Sequence, residues 1–516
     1  MAKNWFNNFL RNAMIGILIF SFISSILINL GLNIVVNNEC PTAMKFVINI
    51  FCILIILFLL SRAYCKRDKI VNYLLKLLDI KNLIVYILLI SFIIRILWII
   101  LIETKPVSDF AMMYNCGKDV FNGNFSCFHD FNYFARFTHD TVTVLYYSLF
   151  YNFNEDPIFL VKLFNVIFST FSLFMMYCIV KQLYGYKSAL VSAILLSVFP
   201  PFIMYNSQML SENMAMPFYL ISIYFFIKYI KNMDKYSLMV FSGLALSAGN
   251  LFRMVGIVFL ISYIMYFLIY KGIKNSVKPI PIIIIMFILP MYITSFLLLS
   301  NGITKSQLWQ PKETFLTSVL RGTNLNSFGF WNEEDAKIPS EYNYDETKIK
   351  EASIKIIKER LFNSPISNIA ILYVSKLGGE MGVSDFGAFG FTVLHSNETM
   401  TVKILKYLQF AVSTLINIIH LFLLYFGYVY FKRIKNLPNE LNLFLILFGG
   451  FILLYLISEV QPRYSFIICW ILVIFAVGGL KTRFYESIYS KCSFDIRNYV
   501  ELSNNSTYKK EEVLQI

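Results

Sequence analysis

Charge is scarce in this chain. Asp, Glu, Lys and Arg make up 15% of its 516 residues, against 57% apolar side chains, and no soluble core accounts for so much Phe, Ile and Leu. Histidine is scarcer still: His129, His139, His395 and His420 stand apart, and only His129-Asp130 and His139-Asp140 adjoin a carboxylate. Both pairs read as surface polar contacts, so a metal site is poorly supported, although a need for a divalent metal is left open. The eight cysteines are scattered without the CxxC or Cys/His spacing of a zinc site. Cys116 and Cys127 share one loop, but spacing alone does not bring their Cα atoms together, and a disulfide is not the expectation. There is no GxxxxGK[ST], no GxGxxG opening a helix and no GxSxG, which argues against a nucleotide-driven machine and a nucleophile-elbow hydrolase. Acids are outnumbered, giving a formal charge of +14. The Lys and Arg recur in short clusters between apolar runs instead of lining one face, so nucleic acid is not an expected partner.

What the chain does have is a succession of apolar runs of spanning length, so the expected fold class is an all-α polytopic membrane protein. About twelve spans are expected, at 14–36, 44–60, 83–102, 158–180, 189–203, 213–227, 236–252, 255–270, 280–299, 404–430, 441–458 and 464–477. Residues 1–13 resemble a basic leader, but the run at 14–36 is too long for a signal-peptide core and lacks a small-residue cleavage site, so a retained span is expected. With the N-terminus inside, the turns bearing Arg62, Lys66, Arg67, Lys181, Lys228, Lys271, Lys432 and Lys481 all fall on the cytoplasmic side. This requires that residues 141–153, too few to span comfortably, form an interfacial or re-entrant helix.

The expectation is therefore a multi-pass protein of the cell membrane with both termini cytoplasmic. Residues 1–82 would form two extra spans and a basic loop, residues 83–480 the main membrane domain, and residues 481–516 a polar tail. Two long segments, 103–157 and 300–403, would lie outside. In the second, residues 345–361 carry Ala352, Ile356 and Leu361 near helical spacing. Ser364-Pro365 then marks the start of a helix that should stop at Gly378-Gly379, with Tyr373 and Lys376 near its end.

Polar residues at the ends of spans are the candidates for chemistry. Asp109 stands among Phe110, Met112, Met113 and Tyr114, where poor hydration would raise a carboxylate towards a useful general base. The plainer reading is a helix N-cap supplied by Ser108 or Asp109. Glu212 falls at a turn after Pro200-Pro201 and reads equally as a sugar or metal ligand or as a helix cap. Arg253 sits in a very tight turn between two spans, where a guanidinium matches a lipid phosphate bidentately; the plainer reading is a side chain that snorkels to the headgroups. Glu459 and Arg463, beside Tyr464, are spaced i, i+4, so an internal ion pair is the simplest reading and a phosphate role for Arg463 the sharper one. Arg95, inside a span, reads as a structural partner for a carboxylate or as a residue that snorkels upward.

Taken in order, Ser108-Asp109-Phe110 with Tyr114, Gly123-Asn124, Leu163-Phe164-Asn165-Val166, Leu183-Tyr184-Gly185, Phe199-Pro200-Pro201, Leu210-Ser211-Glu212, Gly249-Asn250-Leu251-Phe252-Arg253 and Pro462-Arg463-Tyr464 form a familiar series. It resembles the membrane-embedded glycosyltransferases of the C-type fold, the group holding protein O-mannosyltransferases and aminoarabinose transferases, over roughly residues 83–480. The resemblance implies a polyprenyl-phosphate sugar donor and a carboxylate in the first outer loop as base, which Asp109 matches. It also implies basic residues at the donor phosphate, matched by Arg253 and Arg463 and more weakly by Lys376. Tyr114, Glu212, Glu459 and Tyr464 are the implied substrate-side residues. The chain departs from the protein O-mannosyltransferases in having Asp109-Phe110 where they carry an Asp-Glu pair, and in lacking an HPP motif near His139. This argues for a bacterial relative with a different glycan, lipid or protein acceptor.

The expected activity is transfer of a hexosyl or pentosyl group, with inversion, on the extracytoplasmic face. Asp109 would act as base, and Glu459 would position Arg463. The main competitor is a lipid-linked sugar transporter or flippase, but no paired halves with matching broken helices are seen. An O-antigen-type ligase or polymerase would need a basic or histidine pair in a late loop, where only His395 and Lys376 stand. A receptor or scaffold would not require Asp109 at the membrane edge.

Overall fold

The computed structural model describes residues 2–35, scattered positions between 41 and 75, and residues 76–434 and 437–482. The expected span at 44–60 lies largely outside the described residues, and so does the tail from residue 483. The described residues are helical, with no named strand and two isolated bridges, Thr104 to Ser396 and Phe330 to Val460.

Among the described residues seven helices are long and apolar enough to cross a membrane: Lys3–Gly31, Leu83–Leu101, Ile158–Tyr184, Ser211–Lys231, Ile273–Ser300, Gln409–Arg433 and Asn439–Ile457. Two bent pairs raise the number to nine if each is one span. Tyr186–Val198 meets Pro200–Ser207 at 64°, and Pro462–Ile468 meets Trp470–Thr482 at 55°. Ser237–Phe252 and Gly256–Lys271 are apolar but shorter. Every other expected run falls on one of these helices; the expected twelve exceeds nine because Ser237–Phe252 and Gly256–Lys271 are short and the run at 44–60 lies largely outside the described residues. Pro200 and Pro201 lack N–H groups and force Phe199 into extended backbone, φ −71° and ψ 114°, breaking the fifth run.

Polar side chains join the spans from within. Arg95 is fully buried, and its partners are hydroxyls and carbonyls, with none of the carboxylates expected. Nε donates to Ser169 at 2.9 Å, and the terminal nitrogens reach the Ser91 carbonyl at 3.1 Å and the Leu196 and Ser197 carbonyls at 3.4 Å. The N-terminal helix Ala2–Val35 is tied to Gln409–Arg433 by Ser25 with Asn417 and by Asn29 with Ser413. Such pairs hold helices together where apolar surface alone gives no preference for a neighbour over lipid.

The bundle has two unlike ends. At one, lysines close the short turns: Lys187 pairs with Asp79 at 2.8 Å, Lys271 donates to the Ile230 carbonyl at 2.9 Å, and Lys481 to the Tyr184 carbonyl at 2.9 Å. At the other end the segments 103–157 and 300–403 pack on each other. Lys305 pairs with Asp130 at 2.8 Å, Thr138 donates to the Leu308 carbonyl at 2.7 Å, and the backbone N–H of Lys312 bonds to the Ala135 carbonyl at 3.2 Å. Thr141–Ser148, eight residues long, packs against Asp109–Phe121 without spanning.

Three expectations for these segments are corrected. Cys116 and Cys127 are joined by a disulfide: Gly123, at φ 81°, turns the chain after Phe121, and the 3-10 turn Ser126–Phe128 returns Cys127 to a Cα separation of 6.2 Å. Ser364 does not cap the next helix, whose cap position is Pro365, without a side-chain hydrogen bond. That helix, Ile366–Met381, runs through Gly378-Gly379, because nothing there turns the backbone left-handed.

One glycine is indispensable to this end of the bundle. A Cβ on Gly322 would lie 2.5 Å from the Ser458 carbonyl oxygen and 2.8 Å from that of Ile457. Both contacts are backbone, so Gly322→Ala is expected to destabilise the protein by about 1–3 kcal/mol, as overpacking does. Chemical unfolding in micelles checks it, and an unshifted midpoint would refute the close approach.

Candidate active site

Asp109 opens the helix Asp109–Phe121, and neither it nor Ser108 caps that helix with its side chain. The plainer reading of the sequence is thereby removed. Ser108 sits at φ 50°, ψ −128°, a conformation costly for a residue with a Cβ. The Asp109 side chain is 36% exposed, so the poorly hydrated setting expected for it is not found. It faces Arg463, with 3.9 Å between Oδ2 and a terminal guanidinium nitrogen. Burial, and after it the nearby charges of Asp109 and Asp140, pushes the Tyr133 hydroxyl well above the usual tyrosine range.

Arg463 lies in the 3-10 helix Pro462–Ile468 and is buried. Its guanidinium rests against three aromatic faces, Phe110 at 4.8 Å, Phe391 at 5.3 Å and Tyr464 at 5.7 Å, while Nε is buried without a hydrogen-bond partner. A guanidinium held by rings, with one long ion pair and one orphaned donor, is placed to receive an anion. Arg253 approaches the same Tyr464 ring, at 5.2 Å, and pairs with Glu212 at 3.3 Å. Tyr464 thus carries both arginines, and the structure brings Asp109, Glu212, Arg253, Arg463 and Tyr464 into one cluster.

Glu459 is elsewhere engaged. The expected pair with Arg463 does not form, because residues 459–461 are extended instead of helical: Val460 bridges to Phe330, and Gln461 has φ −148°, ψ 118° ahead of Pro462. Glu459 instead pairs with Arg321. Arg321 lies 3.9 Å from Glu313, and Glu313 also pairs with Arg136. This chain, Arg136–Glu313–Arg321–Glu459, buried apart from the half-buried Arg136, links the first long loop, the second and the last turn. The same turn hangs on three backbone N–H bonds: Glu459 to the Ser318 hydroxyl at 3.2 Å, Val460 to the Gly329 carbonyl at 2.8 Å and Gln461 to Glu380 at 2.9 Å.

Lys376 is buried and donates to the Gly322 carbonyl at 2.7 Å; burial lowers its ammonium to about 8, opposed by the nearby Glu380 charge. Tyr114 donates to Asp156, and its ring lies 5.5 Å from that of Tyr151. His129 bonds to the Gly302 carbonyl at 3.2 Å, His395 is exposed, and His420 is buried against the Met381 carbonyl at 3.2 Å. Asp140, expected at the surface with His139, is instead 7% exposed, and its charge reaches Tyr133. Among the described residues no three His, Cys, Asp or Glu side chains are grouped to hold a metal ion.

The comparisons with known proteins can be set against this geometry. Residues 138–297 match the family model of the dolichyl-phosphate-mannose-protein mannosyltransferases. The match takes in Asp140, Glu212 and Arg253, whereas Asp109 and Arg463 lie outside it. The match covers less than a third of the chain, and over that stretch the chain, with its apolar helices long enough to cross a membrane, is similar to that family of glycosyltransferases. A solved structure, the archaeal oligosaccharyltransferase AglB from Archaeoglobus fulgidus in complex with an inhibitory peptide and a dolichol-phosphate, is similar at 14% identity and a TM-score of 0.43. The similarity covers 84% of this chain and 53% of that one, so the chain spans about half of that protein's length. No curated protein matches.

The ion-pair chain has a measurable consequence. Arg321→Met strands the buried carboxylate of Glu459 and should cost about 3–5 kcal/mol of stability, the loss typical of breaking a buried pair; unfolding in micelles with less than 1 kcal/mol of change would contradict it.

Glu380 gives a pH signature. Burial raises its carboxyl from the ordinary 4.5 to about 8, although the Gln461 N–H and Ser465 hydroxyl bonds oppose the shift. Between those values the folded protein keeps a proton that the unfolded chain has lost, so stability should fall as pH rises from about 4.5 to about 8. Glu380→Gln should flatten that slope, and an identical slope in the variant would sink the assignment.

Proposed function

We propose that the chain moves a hexosyl or pentosyl group from a polyprenyl-phosphate donor to a hydroxyl acceptor at the end of the bundle where its two long loops meet. The observation that carries this reading is the facing of Asp109 and Arg463 at 3.9 Å, with the Arg463 Nε buried and unpartnered. The donor phosphate would bind Arg463, with Arg253 reaching it from across Tyr464. Lys376 is the weaker phosphate candidate, being bonded to a backbone carbonyl.

In the reaction the acceptor oxygen attacks the anomeric carbon from the face opposite the phosphate. The bond to the phosphate oxygen breaks, its electron pair stays on the phosphate, and Asp109 takes the acceptor proton. Direct displacement inverts the anomeric centre. Arg463 and Arg253 stabilise the charge growing on the leaving phosphate, which is where fixed cations lower a barrier most. Tyr133 orients the Asp109 carboxylate, and Glu212 holds Arg253. Glu459 would act through Arg321 on the turn that bears Arg463 and Tyr464, and Tyr114 through Asp156 on the loop end beside the site.

An extracytoplasmic site is supported by two features. The lysine-closed turns lie at the opposite end of the bundle, as cytoplasmic turns do, and the Cys116–Cys127 disulfide beside the Asp109 helix suits an oxidising compartment. The acceptor would be a glycan, lipid or protein hydroxyl presented there.

The test is transfer from radiolabelled polyprenyl-phosphate sugars to mixed membrane acceptors by purified protein. Wild type should release label from the lipid, and Asp109→Asn should lower kcat at least roughly a hundredfold, the contribution usual for a positioned base. Normal turnover by the variant would remove Asp109 from the base role. Movement of intact donor between leaflets without release would turn the reading to a flippase.

A further inference from the structure

The N-terminal helix Ala2–Val35 stands before the region that the family model matches, yet it does not merely lean on the bundle. Its Ser24 and Ile28 form one wall of a cavity of about 650 Å³, a size usual for ligand sites. The opposite walls come from Gly378 on Ile366–Met381, from Phe389 and from the first turns of Gln409–Arg433. The lining is largely apolar. Of its two charged residues, Asp385 already accepts the backbone N–H groups of Gly387 and Phe389 at 3.0 and 2.8 Å, and Lys45, buried, adds a positive charge.

Two features say what the cavity takes. It is lined by Lys3–Gly31 and Gln409–Arg433, two helices long and apolar enough to cross a membrane, and beside such helices the ligands at hand are hydrocarbon chains. It also backs directly onto the candidate active site: Pro462 lines it beside Arg463, and Phe389 lines it next to Phe391, whose ring packs on the Arg463 guanidinium. A chain lying in the cavity would end at the turn that carries Arg463.

We propose that this cavity binds the isoprenoid chain of the anionic donor lipid, so that the N-terminal helix is a specificity element for donor chain length. This rests on the proposed transferase reading for the identity of the lipid. Gly378 meets the N-terminal helix at the edge of the cavity: a Cβ there would touch the Ser24 hydroxyl at 3.7 Å and the Ile28 methyl at 3.9 Å. A large side chain at that position has no room against the helix and would occupy the cavity that these residues line.

The experiment compares undecaprenyl-phosphate and farnesyl-phosphate sugars as donors for wild type and Gly378→Trp. The ratio of kcat/KM for the long donor to that for the short one should fall by roughly tenfold in the variant, equivalent to about 1.4 kcal/mol of lost chain binding. An unchanged ratio overturns the proposal. Should the variant turn over neither donor, photolabelling of wild type with undecaprenyl phosphate carrying a reactive group in its chain decides. Label in peptides containing Ser24–Ile28 and residues 378–390 supports the cavity, and label confined to other helices overturns it. Label there in a wild-type protein that transfers sugar from no donor would keep the lipid site and remove the transferase reading.

Discussion

The largely buried chain of charges from Arg136 through Glu313 and Arg321 to Glu459 is the interaction on which the working end of this molecule depends. Its members come from the first long loop, the second and the turn before the last helix, segments that share no secondary structure. Two acids alternating with two arginines leave no net charge to bury, which is the condition under which ions tolerate so little water. Because the last turn is hung from the second loop by this chain and by three backbone N–H bonds, Arg463 is placed by contacts remote in sequence. The close packing of Gly322 under Ser458 belongs to the same junction.

The site exploits what that junction holds still. Arg253, from a turn between spans, and Arg463, from the hung turn, lie against one Tyr464 ring, so two like charges are kept near each other by an aromatic surface and by separate carboxylates, Glu212 and Asp109. The two pairs differ in kind. Glu212 is buried and closes on Arg253 at 3.3 Å, whereas Asp109 is partly exposed and stands off Arg463 at 3.9 Å. The looser pair is the one an incoming anion can divide, releasing the carboxylate to accept a proton. The disulfide fixes the far end of the Asp109 helix to its own loop, so the carboxylate is aimed from a braced element.

Much of this was legible in the residues. Apolar runs marked the helices because a span must be apolar along most of its length. Polar residues at run ends, Asp109, Glu212, Arg253 and Arg463, were found to converge because they all lie at the same end of the bundle. What was not legible depended on pairings without local signature. Arg136 and Glu313 are 177 residues apart, and Arg321 and Glu459 are 138 apart, so no spacing rule connects them. An i, i+4 pair of Glu459 with Arg463 presupposes a helix. Pro462 already argued against one, since it drives the residue before it into extended backbone. Asp140 and Tyr133 stand in or beside an aromatic stretch that reads as surface. The cysteine pair needed the turn at Gly123 to come within reach.

The account turns on Arg463 being the donor-phosphate site held in readiness by Asp109, and the affinity of the spent carrier, polyprenyl phosphate, measures that most directly. If the two anions compete for one guanidinium, Asp109→Asn should bind polyprenyl phosphate more tightly than wild type, and Arg463→Gln more weakly. Equal affinities across the three proteins, or weaker binding by Asp109→Asn, would contradict it.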